Sequence, residues 1–366
     1  MQNSALNILN YEGLPDWENM QHFDWVQALK DCPQDKIWHA EGDVYIHTKR
    51  VAEALFSLPE FALFSKIEQK MLIYAAVFHD VAKPLCTFEE KGRIVSPKHA
   101  KIGEKVARTL LWEADFPFRE AVCSLVRLHG VPLWALEKKA PNSVVISASF
   151  RLKNSWLYAL SKADVLGRDC EDKADLLERV EYFKELCLEN GCFENTYSFE
   201  NEHSRFHFFQ KEENYPAALF DDTTFKVILM SGLPGSGKDT YIRQYLKDLP
   251  VISLDDLREE HDIAHGDTYM QSQIVAIAYE KAKEYARKKQ SFVWNSTNLS
   301  AMLRNRLIRS LLPYSPRFEI VYIETSFAQN VQRRKGEIPE KELQKMQKMI
   351  DMPMQHEAYQ VLYVRN

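Results

Sequence analysis

Across residues 20–190 apolar side chains recur at three- and four-residue steps with little β-branched alternation, the spacing of helices that each bury one face. The run MLIYAAVF (71–78) is apolar on every side, as a central helix requires. From Phe225 the texture changes. Short apolar runs FKVILMS, PVISL, SFVWNS, RFEIVYIE and YQVLYV alternate with helical stretches such as TYMQSQIVAIAYEKAKEYARK and SAMLRNRLIRSLL. Strands alternating with helices predict a parallel sheet. Residues 191–223, containing GCFENTYSFENEHSRF, read as a loop-rich connection. The expectation is an all-α domain over 1–205, a connection over 206–223 and an α/β domain over 224–366.

Composition narrows the class. A chain of 366 residues has room for two cores, and 45% hydrophobic with 27% charged residues suits a soluble globular protein. No apolar run reaches the roughly 18 residues of a membrane span, and Met1–Met20 is polar and acidic without an export signal. The expected location is the cytoplasm, with no membrane partner. Cys32, Cys86, Cys123, Cys170, Cys187 and Cys192 show no CxxC spacing, which favours free thiols over disulfides or zinc. The net charge of −5 divides unevenly, with −9 on residues 1–223 and +4 on 224–366. That asymmetry points the second half, weakly, towards phosphate-rich partners.

The sharpest motif is Gly232-Leu233-Pro234-Gly235-Ser236-Gly237-Lys238, between a predicted strand and a predicted helix. Glycines let a backbone wrap phosphates, whose charge the N–H groups and helix start attract, and Lys238 would reach the β/γ-phosphates of an NTP, ATP or GTP, bound with Mg²⁺. The usual Ser/Thr magnesium ligand after the lysine is replaced by Asp239, followed by Thr240; either can serve the ion. After the second strand comes SLDDLR. Its acids stand at the carboxyl edge of the sheet, where Asp255 can accept a proton from an attacking hydroxyl and Arg258 would point near the same place. The alternative is that Asp255 or Asp256 merely caps a helix. The third strand ends in WNSTNL (294–299), polar groups suited to positioning an acceptor or the magnesium hydration shell. Arg333 and Arg334, on a predicted helix leading to Gly336, suit a lid that neutralises transferring phosphoryl charge, or else an ordinary solvated face.

The helical half carries its chemistry dispersed. His47, His79-Asp80, His99, His129 and Asp164 each fall on the expected buried stripe of a different helix; His99, for one, aligns with Ile102, Val106 and Leu110. Any one alone is more often a satisfied core residue than a ligand. Burying each costs a few kcal/mol unless paired, and one shared divalent cation would compensate all of them. The donor set suits Mn, Fe, Ni, Co, Zn or Mg.

Two resemblances follow. GLPGSGKDT, SLDDLR, NSTNLS and QRRK resemble the 5′-OH polynucleotide kinase branch of P-loop phosphotransferases, which implies Lys238 on the NTP, Asp255 as base, Arg258 on the acceptor-strand phosphate and Arg333 and Arg334 as lid arginines. The order H…HD…H…H…D is similar to the HD phosphohydrolase superfamily, and HAEGDVYIHT, FHDVAKPLC and LVRLHG resemble the HD domain of bacterial tRNA CCA-adding enzymes. That likeness implies Lys83 near the substrate phosphate and one or two metals held by the six residues, with Asp80 bridging. The whole chain resembles the bacterial HD-Pnk family. The implied function is healing of RNA or DNA ends, by 5′-phosphorylation and by hydrolysis of 2′,3′-cyclic phosphate or terminal phosphate, ahead of a ligase. Two rivals remain open: a small-molecule or nucleoside kinase joined to a nucleotide-clearing HD domain, and an NTP-binding regulatory protein.

Overall fold

The structure is a computed structural model that describes residues 7–210, 216–262 and 268–366, the side chains of Thr268 and Tyr269 excepted. Residues 1–6 of the polar N-terminal segment and 211–215 of the expected connection lie outside the described residues. The chain divides between Ser198 and Phe199 into two compact units. The first is helical and the second is an α/β domain with a five-stranded parallel sheet, the architecture expected from the pattern of runs.

In the first unit, short helices α1 (Trp17–Met20) and α2 (Asp24–Leu29) precede α3 (Val44–Ser57) and α4 (Lys66–Phe78). Then follow α5 (His99–Leu110), α6 (Phe116–Leu128), α7 (Val131–Trp134), α8 (Pro141–Ser149), α9 (Asn154–Gly167) and α10 (Lys173–Glu189). α4 starts at a capping box of Ser65 and Glu68 and is buried continuously from Met71 to Phe78, as its apolar circumference demands. α3 and α9 cross closely because position 167 is glycine: a Cβ there would stand 2.9 Å from the Val51 backbone nitrogen. That crossing sets His47, one turn before Val51, beside Asp164, nearly one turn before Gly167.

Two features of this unit differ from the sequence expectation. The helical run is interrupted by an antiparallel hairpin, β1 (Phe88–Glu90) and β2 (Arg93–Val95), too short and too polar to announce itself by alternation. And α5 does not bury the stripe Ile102, Val106 and Leu110, which are only half-buried; it buries Gly103, Glu104, Ala107 and Arg108. The reason is a charged network. Arg108 donates to Glu120 at 2.8 Å and to Glu104 at 3.0 Å, Arg119 donates to Glu120 at 2.8 Å, and Arg151 donates to Glu104 at 2.7 Å. Burial alone would raise the carboxyl pKa of both Glu104 and Glu120, yet the guanidinium groups hold both below the usual range.

The second unit opens with α11 (Glu202–Phe209), where a loop-rich connection was expected. Phe206 stacks on Tyr359 with ring centroids 4.6 Å apart and belongs to the sheet's core, so the boundary falls before this helix rather than at 205. β3 (Lys226–Ser231), α12 (Lys238–Tyr245), β4 (Val251–Ser253), α13 (Leu254–Glu260) and α14 (Thr268–Arg287) come next. They are followed by β5 (Phe292–Asn295), α15 (Ala301–Leu311), β6 (Arg317–Glu324), α16 (Phe327–Arg333), α17 (Glu340–Met349) and β7 (Gln360–Arg365). The sheet order is β4-β5-β3-β6-β7, every pair parallel, so the carboxyl ends of β3, β4 and β5 share one edge. Among the described residues no helix is long and apolar enough to cross a membrane.

Arg108→Met removes the shared cation and leaves two buried carboxylates facing each other. It should destabilise the helical unit by ~3–5 kcal/mol, the usual cost of breaking a buried ion pair from one side. Urea unfolding followed by far-ultraviolet circular dichroism measures it; a loss below about 1 kcal/mol would show that the network is dispensable.

Candidate metal centre and phosphate-binding loop

The helical unit gathers all six dispersed residues. His47 comes from α3, His79 and Asp80 directly follow α4, His99 begins α5, His129 follows α6, and Asp164 lies on α9. His47 Nε2 is 3.1 Å from Asp164 Oδ1 and 3.8 Å from Asp80 Oδ2, and His79 Nε2 is 3.2 Å from Asp80 Oδ2. His99 Nε2 is 3.6 Å from Asp80 Oδ1 and 3.3 Å from His129 Nε2. Five of the six are fully buried; His99, at the exposed start of its helix, keeps a side chain 28% exposed. His99 is therefore not on the buried stripe that the sequence assigned it, although it still faces the cluster.

Helix ends fix the imidazoles. His79 and His129 cap α4 and α6, and their Nδ1 atoms donate to the carbonyls of Ala76 and Val126, each at 2.8 Å; His99 Nδ1 donates to Ser96 O at 2.8 Å. A carbonyl only accepts, so in each neutral ring the proton is on Nδ1 and the Nε2 lone pair faces the cluster. His129 is held neutral, its pKa pushed down to about 3 by burial and then by His99 and His79. Burial would raise Asp80 and Asp164, but Lys83 and His79 hold the first well below the carboxylate range, and Arg168 and His47 the second. His79 Nε2 and Asp80 Oδ1 are buried with no hydrogen-bond partner. The neutral His129 ring, two ionised carboxylates, and the unpartnered His79 Nε2 and Asp80 Oδ1 among them, all facing one point, fit a divalent cation.

Residues that the sequence did not single out complete the cluster. Glu41 Oε1 lies 2.8 Å from both His39 Nδ1 and His47 Nδ1, while its Oε2 accepts from Asp169 N at 2.8 Å. A carboxylate on the far nitrogen orients an imidazole ligand. Arg168 donates to both oxygens of Asp164, at 3.2 and 2.7 Å. Its spacing of four from Asp164 on a helix was a readable signal; Glu41, in a turn, had none of its own. Lys83 Nζ meets Asp80 Oδ2 at 2.7 Å and Gln34 Oε1 at 2.6 Å. Above the cluster opens a cavity of about 610 Å³ lined by Asp80, Lys83, His99, His129 and Asp164 among others.

In the second unit β3 runs into the glycine loop. Gly232 has φ +144° and a Cβ there would lie 2.3 Å from Ile323 O, so only glycine fits. Gly237 caps α12 in the left-handed region, with Lys238 as the first helical residue. Lys238 Nζ donates to Gly232 O at 3.1 Å and Leu233 O at 3.0 Å, and Ser236 Oγ is buried without a partner. Burial pushes Lys238 down to about 8, opposed by the charges of Asp239 and Asp255 and reinforced by that of Arg334. A cavity of about 410 Å³ is lined by Lys238, Asp239, Thr240, Arg243, Arg333 and Arg334. Arg333 donates to Gly235 O at 3.0 Å and Arg334 packs over Gly235, so both arginines reach the loop.

Ser253 at the end of β4 is in register with Asn295 at the end of β5. Asn295 Nδ2 donates to Asp239 Oδ1 at 2.8 Å and thereby fixes the unusual acid, whereas the Thr240 hydroxyl is exposed and accepts from Arg243 at 3.3 Å. Asn298 is buried and donates to Met230 O at 2.7 Å, so that part of the polar cluster props the loop and does not face ligand. The N-cap of α13 is Ser253, which accepts from Asp256 N, so neither Asp255 nor Asp256 is spent as a cap. Asp255 is ion-paired to Arg258 with its side chain 74% exposed, and Gln271 accepts from Arg258 at 2.8 Å.

Residues 44–150 match the family model described as HD domain, and residues 227–353 match the model described as AAA domain. No curated protein matches the chain. Among solved structures, the chain is similar to a protein from Chloroflexus aurantiacus J-10-fl described as a "putative kinase". The two are 20% identical over 39% of this chain and 86% of that one, with a TM-score of 0.34, a likeness that carries no argument. The chain thus sets an HD hydrolase domain before a P-loop, kinase-like domain. The first implies divalent metal binding and the second a nucleotide with magnesium.

Asp80→Asn should abolish Mn²⁺ binding to the helical unit. Glu41→Gln, which leaves every direct ligand in place, should weaken it by about 10–100-fold. Isothermal titration of metal-free protein with Mn²⁺ distinguishes them; equal affinities in wild type and Asp80→Asn would remove Asp80 from the site.

Proposed function

We propose that the protein heals nucleic-acid ends, phosphorylating 5′-OH termini in its P-loop unit and hydrolysing 2′,3′-cyclic or terminal phosphates in its HD unit. The observation that carries this reading is Asp255. It is an uncapped acid at the sheet's carboxyl edge, whose charge the loop lysine feels, paired to Arg258 and open to solvent. A base so exposed suits an acceptor hydroxyl on the end of a large molecule better than a metabolite enclosed in a pocket. Asp255 takes the proton of that hydroxyl as its oxygen attacks the γ-phosphorus and the nucleoside diphosphate leaves. Lys238, Arg333 and Arg334 balance the charge that spreads over the transferring group. Asp239, held by Asn295, would serve as the magnesium ligand.

In the HD unit His47, His79, Asp80, His99, His129 and Asp164 would hold one or two divalent cations. Such ions polarise a phosphoryl oxygen and make water a better nucleophile. Lys83 and Arg168 keep the carboxylates ionised, and Lys83 faces the cavity where a substrate phosphate would sit. The two chemistries suit one task. RNA cut without metal leaves a 5′-OH and a 2′,3′-cyclic phosphate, and a ligase acting downstream needs a 5′-phosphate and a 3′-OH. RNA or DNA ends are therefore the proposed partners.

An oligonucleotide bearing a 5′-OH and a 2′,3′-cyclic phosphate tests the reading, with γ-labelled NTP, Mg²⁺, and Mn²⁺, Ni²⁺ or Co²⁺. The 5′ end should gain label and the cyclic phosphate should disappear. Asp255→Ala should slow only the kinase, by ~10²–10⁴-fold, and Asp80→Ala should remove only the 3′-end activity. Label passing solely to nucleosides or metabolites, or NTP binding without transfer, would overturn the proposal. Loss of both activities from either single change would overturn the independence of the two sites.

A further inference from the structure

The cavity above the histidine–aspartate cluster holds more than the reaction needs. Trp38, 39% exposed as a residue, lines it, and among the described residues no ring or cation packs against its indole. Its backbone is nonetheless pinned. Trp38 N donates to Asp35 O at 3.1 Å and His39 N to the same carbonyl at 2.9 Å, while the His39 ring is tied to Glu41 and Ala40 N donates to Asp169 O at 2.9 Å. A large apolar face is thus held beside the cluster by the very turn that carries Glu41. Trp134 also lines the cavity, but the Arg179 guanidinium covers one of its faces, 5.1 Å from the ring centroid. Lys83, Arg168 and Arg127 are paired to Asp80, Asp164 and Glu104, and Lys138 adds a further positive charge to the cavity wall.

A flat aromatic platform, a cationic wall and a phosphoester-cleaving cluster in about 610 Å³ match one ligand chemistry, a nucleotide. Resting on the reading of this unit as a phosphoesterase, we propose that the cavity takes a single unpaired terminal nucleotide, its base stacked on Trp38 and its 2′/3′ phosphate at the cluster. Lys138 meets the phosphate that joins it to the preceding nucleotide. A base stacked on Trp38 is not paired in a duplex, so the enzyme selects frayed or overhanging ends.

Two esters that differ only in the base test this: adenosine 2′,3′-cyclic phosphate and methyl β-ribofuranoside 2′,3′-cyclic phosphate, each with Mn²⁺ and the full chain. Wild type should prefer the nucleoside ester. Trp38→Ala should reduce that preference, the ratio of the two kcat/KM values, by roughly 5–150-fold, the effect of losing one base–aromatic stack. Trp38→Phe, which keeps an aromatic face, should restore most of it. A ratio that stays within twofold in Trp38→Ala would overturn the stacking assignment. So would equal rates on a blunt duplex end and a 3′ overhang. Should Trp38→Ala fail to fold, Trp38→Gln puts the same question with a side chain that is flat but not aromatic. If wild type cleaves neither ester nor any oligonucleotide end, the phosphoesterase reading itself fails, an outcome distinct from cleavage without base preference.

Discussion

Two imidazole nitrogens, His99 Nε2 and His129 Nε2, stand 3.3 Å apart with both Nδ1 atoms already donating to backbone carbonyls. Neutral rings so arranged point lone pair at lone pair, which is unfavourable unless something positive lies between or before them. Protonating His129 is a poor answer, because burial and then the neighbouring histidines push it down to about 3. A shared cation removes the conflict, serves Asp80 and Asp164 as well, and gives the orphaned atoms of His79 and Asp80 a partner. The helical unit is arranged around this demand. α4 and α6 end where their last turns can hold a histidine by Nδ1, and α3 and α9 approach through Gly167 so that His47 and Asp164 meet.

The phosphate loop answers a simpler demand by simpler means. One contiguous stretch between β3 and α12 supplies the backbone curvature, the helix start and the lysine, and the parallel sheet brings the ends of β4 and β5 beside it. Register does the rest. With Ser253 opposite Asn295, the acid that follows β4 and the amide that ends β5 arrive at the same edge as Asp239.

This contrast explains what could be read from the chain. The five strands, the continuous burial of α4 and the loop from Gly232 to Lys238 follow from local periodicity and local turn chemistry, and each was visible. Glu41 was not, because a carboxylate in a turn declares nothing until the fold brings it against His47 over a distance of 2.8 Å. The buried face of α5 was misjudged for a related reason. Its hydrophobic stripe is the weaker claimant once Arg108 can satisfy Glu104 and Glu120 together, and that pairing depends on α6 and on Arg151, remote in sequence. The helix Glu202–Phe209 was lost among polar residues, since its anchors, such as Phe206 on Tyr359, lie across more than half of the second unit's length. Local signals survive translation from sequence to structure; signals made of two distant halves do not.

Asp239 joins the two kinds of signal. By motif it is a departure, a carboxylate in the place of a magnesium-binding hydroxyl. By position it is held, since Asn295 donates to one of its oxygens and orients the other. An extra negative charge next to nucleotide phosphates is repulsive unless a cation lies between them, and the Coulomb term at such distances is about 4 kcal/mol per unit pair at an effective dielectric near 20. A carboxylate here therefore couples nucleotide binding to the ion more tightly than a neutral hydroxyl would. The same argument runs through the helical unit, where carboxylates and imidazoles are collected at a point that only a cation reconciles. In both units the side chains gather charge that an ion would reconcile, and the proposed phosphate chemistry follows from where that ion would sit.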